Sequence, residues 1–303
     1  LWYNAEKYNL LTYFIPSSKA YFPFFDIKTG KSDVVFAEED IQKRRVAKKK
    51  LKDKSAYYTY LQEMPLKDSD CFLTGASGTF NLEIIHEQLD FLTENKREEG
   101  KVIKGRLEWE KNADGELIES VEWIPDERGK MLMLYPPLEE NNYNDVGGVD
   151  PYYKDQSATS DSLGSVHIYR TSVDGDIPDD LPIFEYVDRP AFGKEEFYDN
   201  CAKIAIYYNC KLLVEDTDEE FFKYFLQQGF QKFLKAAPVI YNTVYTKASN
   251  KYGYNISGQG RKIKLVDNVN EYINQQCNRI YFKELLKEFT IFGIKNTDRV
   301  MSF

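Results

Sequence analysis

The stretch Val146-Gly147-Gly148-Val149-Asp150-Pro151 decides how the chain folds. Short apolar residues and two glycines run into a carboxylate, and a proline closes the segment. The pattern predicts a buried strand ending at Asp150, because Pro151 has no N–H to give to a sheet ladder. Lys211-Leu212-Leu213-Val214-Glu215-Asp216 repeats it, a short apolar strand that ends in acid. If the two strands are parallel neighbours, Asp150 and Glu215 emerge at one sheet edge. Carboxylates about 4 Å apart repel by roughly 4 kcal/mol at an effective dielectric of 20, so the pair must share a proton or a cation. A third acid, Asp298, stands in Asn296-Thr297-Asp298-Arg299-Val300-Met301. Singly, each acid also reads as a surface strand end, or for Asp298 as a helix start suited to the dipole. Jointly they point to a divalent metal.

Outward from this stretch, residues 105–136 alternate apolar and charged positions around the turn Asn112-Ala113-Asp114-Gly115, which predicts antiparallel strands. Further strands are expected at 165–171, 181–187 and 238–241, with a flexible loop at 152–162. Phe197, Cys201, Ile204, Ala205 and Tyr208 fall at helical spacing. Thr217-Asp218-Glu219-Glu220 is a capping-box pattern opening a helix to about Leu234. Gly253, Gly258 and Gly260 surround Arg261, Lys262 and Lys264, which reads as a flexible basic loop, either DNA-facing or plain surface. Helices near 267–276 and 282–289 precede a final helix at Asp298. That last helix is short, and isolated short helices are marginal. Asp298 is therefore expected to be loosely held, and any metal ion that depends on it to be weakly bound. The order gives a mixed α/β plan, with three antiparallel strands and then two that can pair in parallel after helical crossovers.

Composition narrows the classes. The 303 residues are 42% hydrophobic and 15% aromatic, as in a globular protein. A net charge of -9 argues against a surface that grips nucleic acid everywhere, while leaving room for a local basic face or for acids offset by metal ions. The densest basic run, Lys43 to Lys54, reads as a solvated helix face or a phosphate-contacting patch. Four scattered cysteines and two histidines, His86 and His167, make a zinc site improbable and fit free thiols in a reducing cytoplasm. His167 is expected mid-strand, far from any nucleophile, so no serine or cysteine triad competes. No run of about 20 apolar residues exists, so no membrane span is expected, and no signal peptide is read. Gly75, Ser77 and Gly78 form a loop without a phosphate-binding motif.

Three carboxylates at one edge of such a sheet describe a two-metal phosphodiester hydrolysis site. Here the residues resemble a family. Gly148-Val149-Asp150-Pro151 with Asp161-Ser162-Leu163-Gly164-Ser165, Leu213-Val214-Glu215-Asp216 and Asp298-Arg299-Val300-Met301 resemble, in order, the three acidic motifs of the large terminase subunit of tailed bacteriophages. Glu63-Met64-Pro65-Leu66 through Cys71-Phe72-Leu73-Thr74-Gly75 and Phe80-Asn81 is similar to the segment that closes that family's ATPase domain. The resemblance implies a fragment with the end of an ATPase domain at 1–95 and an RNase H-like nuclease domain at 96–303. The expected fold is α/β: an RNase H-like mixed sheet of three antiparallel and two parallel strands flanked by helices, with an added antiparallel hairpin at 105–136. It implies an endonuclease cutting concatemeric viral double-stranded DNA, with Mg2+ or Mn2+ as two ions. Asp150, Glu215 and Asp298 would be catalytic metal ligands and Asp161 an auxiliary one; Arg261, Lys262 and Lys264 are the candidate DNA contacts. Implied partners are a small terminase subunit and the portal protein, in the cytoplasm of an infected bacterial host, at a procapsid. The ATP-hydrolysing core is missing, so no ATPase activity is expected. The competing readings are another RNase H-like nuclease, of junction resolvase or transposase type, and a non-catalytic DNA-binding or assembly module.

Overall fold

A computed structural model of the chain describes residues 13–51, 55–67, 70–71, 79–139, 145–152, 162–171, 180–216, 218–236, 252–255, 259–293 and 297–303. It divides into two compact units, Leu1–Gly78 and Thr79–Phe303.

In the first unit, strands β1 (Phe25–Asp26) and β2 (Lys31–Ser32) pair antiparallel around a turn in which Gly30 takes a φ of 66°. Helix α1 (Val34–Lys49) starts at Asp33, whose carboxylate accepts the Phe36 N–H at 3.3 Å, satisfying one of the orphan donors of the first turn. Helix α2 (Ser55–Glu63) follows. Tyr21, Ala37 and Ile41 form a small buried cluster with Tyr60, Met64 and Leu66 against it. The basic run does not present one solvated face. Arg45 turns inward, pairing with Asp70 at 2.6 Å and donating to the Met64 carbonyl at 2.8 Å, while Lys43, Arg44 and Lys50 stay exposed.

The second unit starts at Thr79. Helix α3 (Leu82–Glu94) belongs to it, because Gln88 Nε2 donates to the carbonyls of Asn278 (3.2 Å) and Ile280 (2.9 Å). Helix α4 (Lys96–Glu99) leads into β3 (Ile103–Lys111), β4 (Leu117–Pro125) and β5 (Met131–Met133). Then come β6 (Asp145–Asp150), β7 (Gly164–Arg170), β8 (Leu181–Asp188), α5 (Lys194–Tyr207) and β9 (Lys211–Val214). Helices α6 (Glu219–Gln227), α7 (Gln259–Gln276), α8 (Lys283–Thr290) and α9 (Asp298–Ser302) complete the unit.

The strands make one sheet in the order β4-β3-β5-β8-β7-β6-β9. Among the described strands of this sheet, β6 and β9 are the pair that runs parallel, since α5 carries the chain across between β8 and β9. A parallel bridge from Leu212 to Leu234 marks the place of the next strand; the strand expected at 238–241 lies outside the described residues. The run β8-β7-β6-β9-Leu234 is thus three antiparallel strands followed by two parallel pairings, the RNase H-like order. The antiparallel hairpin expected within 105–136 is present as β3 and β4. β5 pairs with the edge of β8, Met131 opposite Tyr186, and so draws β3 and β4 into the same sheet. Helix α6 stops well before Leu234. Its cap is Asp218, which accepts the Glu220 N–H at 3.1 Å, one residue on from the threonine of the capping-box pattern, and Gly229 takes a φ of 79° and turns the chain away.

Val149, Val166, Ile168, Leu212 and Val214 are buried in the sheet, and Phe197, Cys201, Ile204 and Ala205 of α5 are wholly buried. At the far end of β6, Arg170 Nε meets Asp145 at 3.0 Å and its Nη2 donates to the Pro136 carbonyl at 2.8 Å, with both side chains of the ion pair buried. Arg170→Met removes the only cation of that pair and leaves a buried carboxylate. It should lower the urea-unfolding free energy of this unit by about 3–5 kcal/mol, the usual cost of breaking a buried pair from one side. A loss within the range of a surface substitution would contradict this.

Candidate metal centre

The sheet register brings the two strand-end acids together. Antiparallel pairing sets Asp150 opposite Ser165 and Gly148 opposite His167; parallel pairing sets Gly148 beside Leu213. Alternate residues of a strand share a face. Gly148, Asp150, Ser165, His167 and Leu213 therefore lie on one face, and Glu215, two residues past Leu213, emerges beside Asp150. The ladder continues one residue beyond β9, where the Glu215 N–H donates to the Val149 carbonyl at 2.9 Å. Tyr254 braces that end, giving its N–H to Val214 O (2.8 Å) and accepting the Asp216 N–H (3.0 Å). The glycines before Asp150 permit close approach. A Cβ on Gly147 would lie 2.4 Å from Leu212 Cδ2, and one on Gly148 would lie 2.0 Å from the Ser302 carbonyl oxygen of α9.

Asp150 and Glu215 share a side-chain hydrogen bond. Burial is the first cause that pushes the Asp150 carboxyl up, to about 9; the charge of Glu215, that hydrogen bond, and the charges of Asp298 and Glu288 follow. Asp150 thus holds a proton at neutral pH where a cation would otherwise sit. Two facing hard oxygen donors, one of them pushed up by burial and by the charge of the other, fit a divalent ion such as Mg2+ or Mn2+.

Asp298 is 8% exposed and firmly held, contrary to the expectation from its short helix. Its carboxylate accepts from Ser162 Oγ (3.2 Å) and the Leu163 N–H (2.9 Å), and its carbonyl accepts from Ser165 Oγ (2.6 Å). Tertiary hydrogen bonds offset the nucleation cost that makes such a helix marginal alone. Its charge is felt at Asp150. Yet among the described residues no three His, Cys, Asp or Glu side chains converge as a finished metal cage.

Of the other expected site residues, Asp161 lies outside the described residues. Arg261, Lys262 and Lys264 are not in a flexible loop, because α7 already begins at Gln259. Lys262 and Lys264 are exposed on its first turns. Further along α7, Leu265, Val269 and Tyr272 recur at helical spacing and line a cavity of ≈ 360 Å³ whose other walls include Glu215 and Phe303. Sequence reading quoted Ser162 and Ser165 within an acidic motif without giving either a role, and it did not single out Glu288. Ser165 was recoverable in principle as the first alternating position of its strand. Glu288 sits in an amphipathic helix and carries no local signal.

Among the described residues no helix is long and apolar enough to cross a membrane. No protein-family model matches the chain, and no curated protein matches it. Among solved structures, it is similar to the large terminase nuclease from thermophilic phage G20c, with a TM-score of 0.39 and 10% identity over 68% of this chain and 92% of that one. Crystal structures of the same nuclease with bound magnesium and with bound zinc each give a TM-score of 0.38 at 11% identity, with the same coverage.

Proposed function

We propose that this chain is a divalent-metal-dependent endonuclease that cuts concatemeric viral double-stranded DNA during genome packaging. The observation that carries the reading is the Asp150–Glu215 pair, two acids on one face of an RNase H-like sheet, with the Asp150 carboxyl pushed up by burial and by the charge of Glu215. Asp150 and Glu215 would hold one ion, and Asp298, fixed by Ser162, Leu163 and Ser165, would complete a second position beside Asp150. Bound Mg2+ or Mn2+ would supply an activated water and charge stabilisation at the leaving oxygen. The protein's part is to set the acids in place before DNA arrives and to give up the Asp150 proton on loading. Arg261, Lys262 and Lys264 at the start of α7 would contact phosphates. Nothing in this arrangement reads base edges, so cleavage would be independent of sequence. A small terminase subunit and the portal protein are the partners this reading implies, at the procapsid in an infected bacterium. ATP turnover is not expected from this chain.

The engagement of both Asp298 oxygens by Ser162 and Leu163 favours a second reading, a non-catalytic DNA-binding or assembly module. Supercoiled plasmid separates the two. The nuclease reading expects nicking with Mn2+ or Mg2+, none in EDTA, similar rates on unrelated plasmids, and DNA affinity that falls steeply with salt. Binding without any nicking would overturn it in favour of the second reading.

A further inference from the structure

His167 faces the same side of the sheet as Asp150, one alternation back, and it is 2% exposed. It was expected mid-strand and far from any nucleophile. Instead its Nδ1 lies 2.7 Å from Ser302 Oγ on α9, and its Nε2 lies 3.1 Å from Glu185 Oε2 on β8. Burial alone would raise the Glu185 carboxyl, but His167 and Arg299 hold it below the ordinary value. Glu185 is therefore ionised, Nε2 donates to it, and Nδ1 is left to the Ser302 hydroxyl. Ser302 is 4% exposed and its Oγ also lies 3.2 Å from the Arg299 carbonyl oxygen, so the three groups form a closed structural chain and not an accessible nucleophile.

Arg299 adds a second clasp. Its Nε reaches Glu185 at 3.3 Å, while its Nη1 and backbone N–H reach Glu288 of α8 at 2.6 and 2.9 Å. A guanidinium next in sequence to Asp298 is thus held by two other carboxylates. Phe303 closes the end of α9 against His167, Tyr272 and Phe289, with ring centroids 6.0, 5.5 and 5.4 Å apart. The five residues of α9 could not hold their place by helix formation alone.

We infer that His167 is a positioning residue for Asp298: through Ser302 it locks α9 onto the face of β6 and β7, and so sets the third acid against the Asp150–Glu215 pair. The metal-related half of this inference rests on the proposed nuclease reading; the locking of α9 does not. Two substitutions divide the ring into its two bonds. Glutamine places its amide nitrogen near the Nε2 position and keeps the link to Glu185 only. Asparagine places its amide near the Nδ1 position and keeps the link to Ser302 only.

The test compares the parent with His167→Gln and His167→Asn by hydrogen exchange of the amides of 298–303 and by calorimetric Mn2+ titration. The Mn2+ site that depends on Asp298 is identified by its loss in Asp298→Asn. His167→Gln should speed exchange across α9 and weaken that site about 10–100-fold, as loss of an outer partner of a metal ligand does. His167→Asn should stay close to the parent in both. Equal behaviour of His167→Gln and the parent overturns the inference. So does equal impairment of both variants, which would mark simple core packing. If the parent binds no Mn2+, the nuclease reading fails, and the exchange comparison alone decides whether His167 locks α9.

Discussion

Asp150→Asn should abolish the proposed metal-dependent cleavage, by about 10³-fold or more, equivalent to roughly 4 kcal/mol of barrier at about 1.4 kcal/mol per tenfold. The same substitution makes the metal-free protein more stable at alkaline pH. The sign follows from the raised carboxyl. Asp150 has a folded-state pKa of about 9 against an ordinary 3.8, so the folded protein binds more protons than the unfolded chain between these values. Stability present below the lower value is lost as pH rises through the upper one. Asparagine cannot ionise and removes that loss. In EDTA, the melting temperature of Asp150→Asn should exceed that of the parent at pH 8, by an amount corresponding to about 1–3 kcal/mol, and the gap should shrink toward pH 5. Saturating Mn2+ should reverse the order, because only the parent gains stability by binding the ion. A gap that does not change with pH would show that Asp150 is not the strained group.

Gly148→Ala should dislodge α9. The new Cβ would stand 2.0 Å from the Ser302 carbonyl oxygen and 3.1 Å from its carbonyl carbon, so it meets backbone that no side-chain rotation can clear. Overpacking of this kind costs about 3 kcal/mol. Asp298 travels with the helix, so cleavage should be lost while Asp150 and Glu215 keep their register and still bind one ion. Gly147→Ala provides the contrast. Its Cβ meets the tip of Leu212, 2.4 Å away, which can turn aside, and the loss of stability should be smaller. Urea unfolding and plasmid nicking on both variants check this, and equal losses would contradict the close packing of α9 on β6.

The strand ends were legible because their signals are local. Alternation, two glycines and a proline fix where β6 stops, and a short apolar run ending in acid fixes β9. The sheet order was legible because a helix between two strands permits parallel pairing. Partners distant along the chain were not legible. His167 and Ser302 are 135 residues apart, and nothing near either announces the other. The role of the 105–136 hairpin was hidden for the same reason. Its alternation predicts strands, but the pairing of Met131 with Tyr186 depends on which edge of the sheet is free. The start of α7 was misread from its glycines and charges, because the apolar stripe that stabilises it becomes regular only from Leu265 onward. Arg45 was misread as solvated for want of its distant partner Asp70.

The central claim is that Asp150 and Glu215 together bind a divalent cation, and anomalous scattering from crystals soaked in Mn2+ tests it most directly. The account predicts a peak bridging the two carboxylates in the parent, absent from Asp150→Asn crystals grown and soaked alike. No peak between them, or one that survives the loss of Asp150, would contradict it.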